Sequence, residues 1–269
     1  MSETKMNADL NNKSYVLRSD SGYIATLTLN RPAQFNPLSE GMLKALQVEI
    51  DRLATDRLIR VVVIAAKGKA FCAGHDLKEM RANYRKDFQQ VLFTRCSKLM
   101  TSLLALPQPV IARVHGVATA GGCQLVSMCD LAVAADSARF AVSGINVGLF
   151  CATPGVGLSR NLLRKQAFEM LVTGDFISAE RALERGLVNR VVPATELDIE
   201  VWRLATQIAG KPPAAVAAGK RLFYRQLEMG IEAAYQAASE TMACNAMEED
   251  TAEGIDAFIE KRLPRWVMG

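Results

Sequence analysis

The sequence predicts an α/β fold followed by a helical C-terminal region, on three observations. Val61-Val62-Val63-Ile64-Ala65-Ala66 is a continuous, mostly β-branched run. Such a run suits a strand covered on both faces, as in a parallel sheet. Val110 to Val114 and Leu131 to Ala135 are further apolar strand runs, with helical patterns between them. That alternation implies right-handed crossovers. From Gly155 onward the pattern becomes mainly helical. The expected division is a disordered N-terminus over 1–13, an α/β core over 14–195 and a helical region over 196–269.

The elements follow in order. Tyr15 to Leu17 and Ile24 to Leu29 read as a hairpin around Asp20, Ser21 and Gly22. Pro32 and Pro37 make residues 30–37 a loop. Ser39 is placed to cap a helix running to about Ala54, with Met42, Leu43, Leu46, Ile50 and Leu53 at a 3.6 period. A glycine-containing loop spans Lys67 to His75, and Asp76 caps a helix from Leu77. A long helix from Asp87 to Leu106 presents Phe88, Val91, Leu92, Leu99, Met100 and Leu103 before Pro107 and Pro109 end it. A short helix covers Gly121 to Met128. Later helices are expected from Ser178, over Glu196 to Ala209, over Pro213 to Met229 and over Ile231 to Glu248. Lys211, Lys220, Arg221 and Arg225 read as the solvated side of one of them.

Composition narrows the function classes. The chain has 269 residues, half of them hydrophobic, with a net charge of +4. It is too apolar and too balanced in charge for a disordered chain. A +4 excess spread over this length is no basic stripe, so nucleic-acid binding is not expected. Two histidines and six cysteines without a CxxC pair point to no metal site and to reduced thiols. No apolar run approaches the roughly 20 residues of a membrane span. The first 13 residues lack the features of a signal or transit peptide, so a cytoplasmic protein is expected. There is no GxSxG elbow, Walker A sequence or post-strand GxGxxG, which disfavours a serine hydrolase and ATP- or NAD-dependent chemistry.

Two glycine-containing loops stand out, each after a buried strand. One is Ala70-Phe71-Cys72-Ala73-Gly74-His75-Asp76-Leu77-Lys78; the other runs from His115 to Gln124 through Ala120-Gly121-Gly122. Both end at a helix start, where backbone N–H groups lack internal partners and the dipole is positive. Side by side, they can aim two N–H groups at one oxygen, which is an oxyanion hole. Equally, the glycines can serve only tight turns and close packing.

The residues that carry chemistry also resemble a known family. Leu29-Asn30-Arg31-Pro32, Ala70 to Glu79, Gly121-Gly122-Cys123-Gln124-Leu125, Cys129-Asp130-Leu131-Ala132-Val133-Ala134, Thr153-Pro154-Gly155 and Glu253 to Arg262 are similar to the enoyl-CoA hydratase/isomerase, or crotonase, superfamily. The resemblance covers Tyr15 to Trp266. It implies a crotonase-like spiral of β-β-α turns with a C-terminal trimerisation region, and trimers paired into hexamers. It implies an acyl-CoA thioester as substrate, a place in fatty-acid metabolism, and no separate cofactor. The implied oxyanion hole is the N–H of His75 with that of Gly121. Ala73 would meet adenine and Lys78 the CoA phosphates. Phe258 and Lys261 would reach the CoA of a neighbouring subunit, and Arg31 belongs to the implied CoA-binding set.

The sequence departs from that family at both proton carriers. Hydratases of the family keep glutamates where this chain has Gln124 and Gly144. A Gln amide holds water but exchanges no proton at neutral pH, and glycine supplies nothing. Each such acid–base group typically contributes about 10²–10⁴-fold. Hydration is therefore expected to be slow. Decarboxylation of a malonyl-type thioester remains open, favoured by Ala73-Gly74-His75-Asp76 and opposed by Phe150-Cys151 where decarboxylases tend to carry tyrosine. A non-catalytic acyl-CoA-binding or RNA-binding protein is the alternative of another class. Around the site, His75 can act through its backbone or its imidazole, and Cys151 as an inert thiol or a nucleophile. His115 reads as structural, and Asp130 as a buried turn residue bonded to backbone. Ser143 and Asn146 flank Gly144 and can hold water.

Overall fold

The computed structural model describes residues 14–266. β1 (Val16–Ser21) and β2 (Ile24–Leu29) form an antiparallel hairpin. Asp20 and Ser21 belong to β1 and not to the turn, which is Gly22-Tyr23 with Gly22 at φ 58°. Ser39 caps α1 (Glu40–Leu53), its hydroxyl accepting from the Met42 N–H, and the five expected apolar positions of that helix are its buried ones. β3 (Val61–Ala66) and β4 (Ala70–Cys72) lead to α2 (Leu77–Ala82), capped by Asp76, and to α3 (Lys86–Ala105). β5 (Val110–Val114) and β6 (Val117–Thr119) lead to α4 (Gly121–Met128). β7 (Leu131–Ala135) and β8 (Arg139–Ala141) lead through a 3-10 turn, Ser143–Val147, to α5 (Ala152–Asn161). Then follow α6 (Arg164–Thr173), β9 (Ile177–Ser178), α7 (Ala179–Glu184) and β10 (Arg190–Val192). Four helices close the chain: α8 (Leu197–Ala209), α9 (Pro213–Gln226), α10 (Ile231–Ala246) and α11 (Glu249–Ile259).

Three successive β-β-α turns build the spiral. The first strand of each turn joins a six-stranded sheet, β1-β2-β3-β5-β7-β10, and the second a four-stranded sheet, β4-β6-β8-β9. Because each turn repeats the direction of the last, β3, β5 and β7 run parallel, and so do β4, β6 and β8. The expected disorder of residues 1–13 lies outside the described residues. The three-residue strands β4 and β6 lay inside expected loops and β8 was not expected, because a run that short has no readable period.

The doubly covered strand is where the sequence placed it. Val62, Ile64 and Ala66 of β3 face the main core, whereas Val61 and Val63 pack with Leu197, Val201, Leu204 and Ala205 of α8. On α3 the buried positions are Leu92, Cys96, Leu99, Met100 and Leu103; Val91 is exposed. Lys220 on α9 corrects the reading of a solvated face. Its Nζ is buried and donates to Leu103 O, Gln108 O and Asp130 Oδ2. Asp130 also accepts from Tyr224 Oη and from the Val110 N–H, so the expected backbone bond exists within a larger buried network. That network fastens α9 to the loop that follows α4. Among the described residues no helix is long and apolar enough to cross a membrane.

Candidate active site

The site arises where the parallel strands β4 and β6 end side by side. Ala73 to Asp76 leave β4, and Ala120 leaves β6 and opens α4. The residues Phe35 to Leu38 hold the first loop in shape. Phe35 O accepts from the Ala73 N–H at 3.0 Å, and the Leu38 N–H donates to Gly74 O at 2.7 Å. Asn36, fully buried, donates through Nδ2 to Lys67 O and Ala70 O. Its signal was hidden in a loop read only by its prolines.

The glycines are required by contact. A Cβ on Gly74, which sits at φ +90°, would lie 2.8 Å from Ala120 Cβ and 3.1 Å from Gly121 N. A Cβ on Gly122 would lie 2.1 Å from Cys72 O. The two loops are thus pressed together, so the glycines serve close packing. Ala120 takes φ 49° and ψ −118°, a conformation costly for a residue with a Cβ. It turns the chain abruptly from β6 into α4. Neither the His75 N–H nor the Gly121 N–H donates to another backbone group among the described residues. Both residues line one cavity of about 240 Å³.

The remaining walls are apolar. Leu77, Met80, Phe93, Val147, Leu149 and Phe150 contribute most of them. Phe93 lies off the buried stripe of α3, which is why helical periodicity did not single it out. Among the described residues, no Asp or Glu lines the cavity. Gln124 is buried but is not among the lining residues; its Oε1 accepts from the Cys96 thiol on α3 at 3.9 Å. Gly144 does line it, and has no room for more. A Cβ there would sit 2.6 Å from Leu149 O and 2.7 Å from Cys151 Sγ.

The titratable side chains of the wall are held neutral. The His75 Nδ1–H donates to Leu38 O at 3.0 Å, because a carbonyl can only accept. Its Nε2 is then an acceptor, sealed from solvent and without a partner. Burial lowers the His75 pKa below the usual histidine range. Burial raises the Cys151 thiol, against a Gly144 backbone hydrogen bond that favours the thiolate, so the resting thiol is not activated. His115 has the structural role expected, its Nε2–H donating to Gly68 O at 2.8 Å.

The other CoA-contacting residues expected from the resemblance are dispersed. Ala73 lines the cavity mouth beside His75. Lys78 is exposed on α2. The Arg31 guanidinium lies 3.8 Å over the Tyr15 ring and donates to Ser14 O and Asn30 O. Phe258 is 85% exposed near the end of α11, and Lys261 follows at φ 55°; neither is among the residues that line the cavity.

The β-β-α spiral sets His75 and Gly121, whose N–H groups donate to no other backbone group among the described residues, along one largely apolar cavity. The enoyl-CoA hydratase/isomerase family model matches residues 19–268, and the chain belongs to that family. It is similar to a crystal structure of an enoyl-CoA hydratase from Mycobacterium smegmatis, at 60% identity and a TM-score of 0.93, covering 94% of this chain and 98% of that one. The crystal structure of human enoyl coenzyme A hydratase domain-containing protein 3 is 45% identical, with a TM-score of 0.91, over 94% of this chain and all of that one. The Xenopus laevis mitochondrial protein of the same name is 49% identical over 93% of this chain and 85% of its own length. These last two agree with a narrower resemblance of the sequence to that subgroup, through Ala73 to Glu79, Gly122 to Leu125, Asn146 to Cys151 and Thr153 to Val156.

The Xenopus relative also overturns the expectation of a cytoplasmic protein, since it and its rat and human counterparts are named as mitochondrial. Compartment is set by an address that a receptor reads, so the polar character of residues 1–13 was no measure of it.

Proposed function

We propose that this chain processes acyl-CoA thioesters by holding the thioester carbonyl oxygen between the His75 N–H and the Gly121 N–H. The reading is carried by two amides that donate to no backbone group among the described residues, on residues that line one cavity. As negative charge grows on that oxygen, in an enolate or a tetrahedral species, two fixed donors stabilise it at about 3 kcal/mol each. The donors belong to the backbone, so they survive the exchange of every side chain around them. His75 acts through its amide; its imidazole orients the loop by bonding Leu38 O.

Hydration of a 2-enoyl thioester is slow in this reading. No carboxylate lines the cavity, and Gln124 is turned toward Cys96. Ala73 at the mouth contacts adenine, and Lys78 meets the CoA phosphates. Phe258 and Lys261, exposed on the C-terminal helices, serve the CoA of a neighbouring protomer in a trimer or a hexamer of two trimers. Arg31 supports this site through the loop it anchors.

The test is incubation with enoyl-, malonyl- and saturated acyl-CoAs, with products followed by mass. The expected result is acyl-CoA binding with hydration orders of magnitude below an efficient hydratase. Fast hydration would show that another base serves the pocket. Loss of CO₂ from the malonyl thioester would establish the decarboxylase alternative. Acyl-CoA binding without turnover would leave the non-catalytic acyl-CoA-binding alternative, and absence of any acyl-CoA binding the RNA-binding one.

A further inference from the structure

The acyl cavity holds hydroxyls but no charge. None of its lining residues is Asp, Glu, Lys or Arg. A carboxylate on the acyl group would meet apolar walls without a cation, and burying an unpaired charge is strongly unfavourable. One polar feature joins the wall to the residue behind it: Ser143 lines the cavity, and Thr119, outside the lining, bonds to it. Thr119 Oγ1 and Ser143 Oγ share a hydrogen bond of 2.7 Å, although they are 24 residues apart. Thr119 ends β6, two residues before Gly121, and Ser143 lines the cavity beside Gly144.

Two hydroxyls carry two protons, and their shared bond uses one. The second proton and the free lone pairs remain for a third oxygen. Thr119 fixes where Ser143 points, as preorganised recognition requires. Thr153, the other hydroxyl side chain of the lining, makes no such side-chain bond among the described residues.

We propose that the Thr119–Ser143 hydroxyl pair is the specificity-determining polar group of this pocket, receiving a hydroxyl oxygen on a neutral acyl thioester. The proposal rests on the thioester reading above and names the acyl group which that site prefers. It also accounts for a polar pair in a wall where the family's acid–base side chains are missing.

The experiment measures Kd for butyryl-CoA, 3-hydroxybutyryl-CoA and succinyl-CoA on the full chain by calorimetry. The readout is the ratio of the butyryl to the 3-hydroxybutyryl Kd. The wild-type chain should favour the hydroxylated ligand about 3- to 10-fold, the scale of one net hydrogen bond. Succinyl-CoA should bind at least about tenfold more weakly than butyryl-CoA. Ser143→Ala should bring the ratio to about 1. Thr119→Val should lower it and Thr119→Ser should keep it, so the test stands even if the Ser143 variant fails to fold. A wild-type ratio near 1, or a ratio unchanged in both Ser143→Ala and Thr119→Val, overturns the proposal while leaving the thioester reading intact. Succinyl-CoA binding as tightly as butyryl-CoA overturns the preference for a neutral acyl group. Failure of butyryl-CoA to bind overturns the thioester reading and this one with it.

Discussion

The cavity has two walls made on different principles. The amide wall, Gly74-His75 against Ala120-Gly121, is backbone, and contact fixes its glycines. The side-chain wall, from Ser143 to Cys151, includes Gly144, one of the two positions where the family resemblance implies carboxylates; the other, Gln124, is buried outside the lining. In the proposed reading the first wall keeps its donors and the second lacks its proton carriers. Backbone donors depend on the path of the chain, which many sequences can maintain. Proton carriers depend on single side chains, which one substitution removes. On that reading, a fold can keep its power to polarise a carbonyl while losing the means to move protons.

The largest test of this contrast is Gly122→Ala on the amide wall. The added Cβ would fall 2.1 Å from Cys72 O and 2.7 Å from Cys72 C, both backbone atoms that cannot swing aside. We expect a loss of about 3 kcal/mol or more, read by denaturant unfolding or as failure to accumulate soluble protein. Gly74→Ala should follow, since it adds a Cβ at φ +90° against Ala120. Turnover of whichever thioester is processed should fall about 100-fold, as when one oxyanion donor is lost. Unchanged turnover would detach the amide pair from function.

On the side-chain wall, Gly144→Glu should not restore hydration, alone or with Gln124→Glu. Its Cβ would overlap Leu149 O and Cys151 Sγ, so the loop must open before the carboxylate can enter. A stability loss of about 1–3 kcal/mol without a gain in hydration is expected. A clear gain would show that the later loop yields easily.

Ala120→Gly probes the strain stored beside Gly121. Relief of an unfavourable φ/ψ pair is worth about 1–3 kcal/mol, against about 0.5–1 kcal/mol for the freer unfolded chain. A net gain near 1 kcal/mol should appear in the unfolding midpoint.

The smallest effect is on pH dependence. Burial lowers the pKa of both His75 and His115, so each takes up its proton more readily in the unfolded chain. Stability is then full above the ordinary histidine range and declines as pH falls below about 6.5. His75→Gln should flatten part of that decline between pH 7.5 and 5, and an unchanged slope would place the titration elsewhere.

Much of this molecule was legible because it is local. Caps at Ser39, Asp76 and Ser178 read directly as helix starts, since a side-chain oxygen answers an N–H two or three residues away. The run at Val61 predicted double burial, and the glycines at 74, 121 and 122 marked the loops of the amide wall. Those features depend on neighbours in the chain, and the sequence alone determined them. Only tertiary structure decided the rest. It turned Gln124 toward Cys96, sealed Gly144 under Leu149 and Cys151, drew Lys220 into a buried pair with Asp130, and brought Thr119 to Ser143. Each is a contact between residues 5 to 90 positions apart in the chain. Period and propensity describe one element at a time. The direction a side chain finally takes is set by the element packed against it.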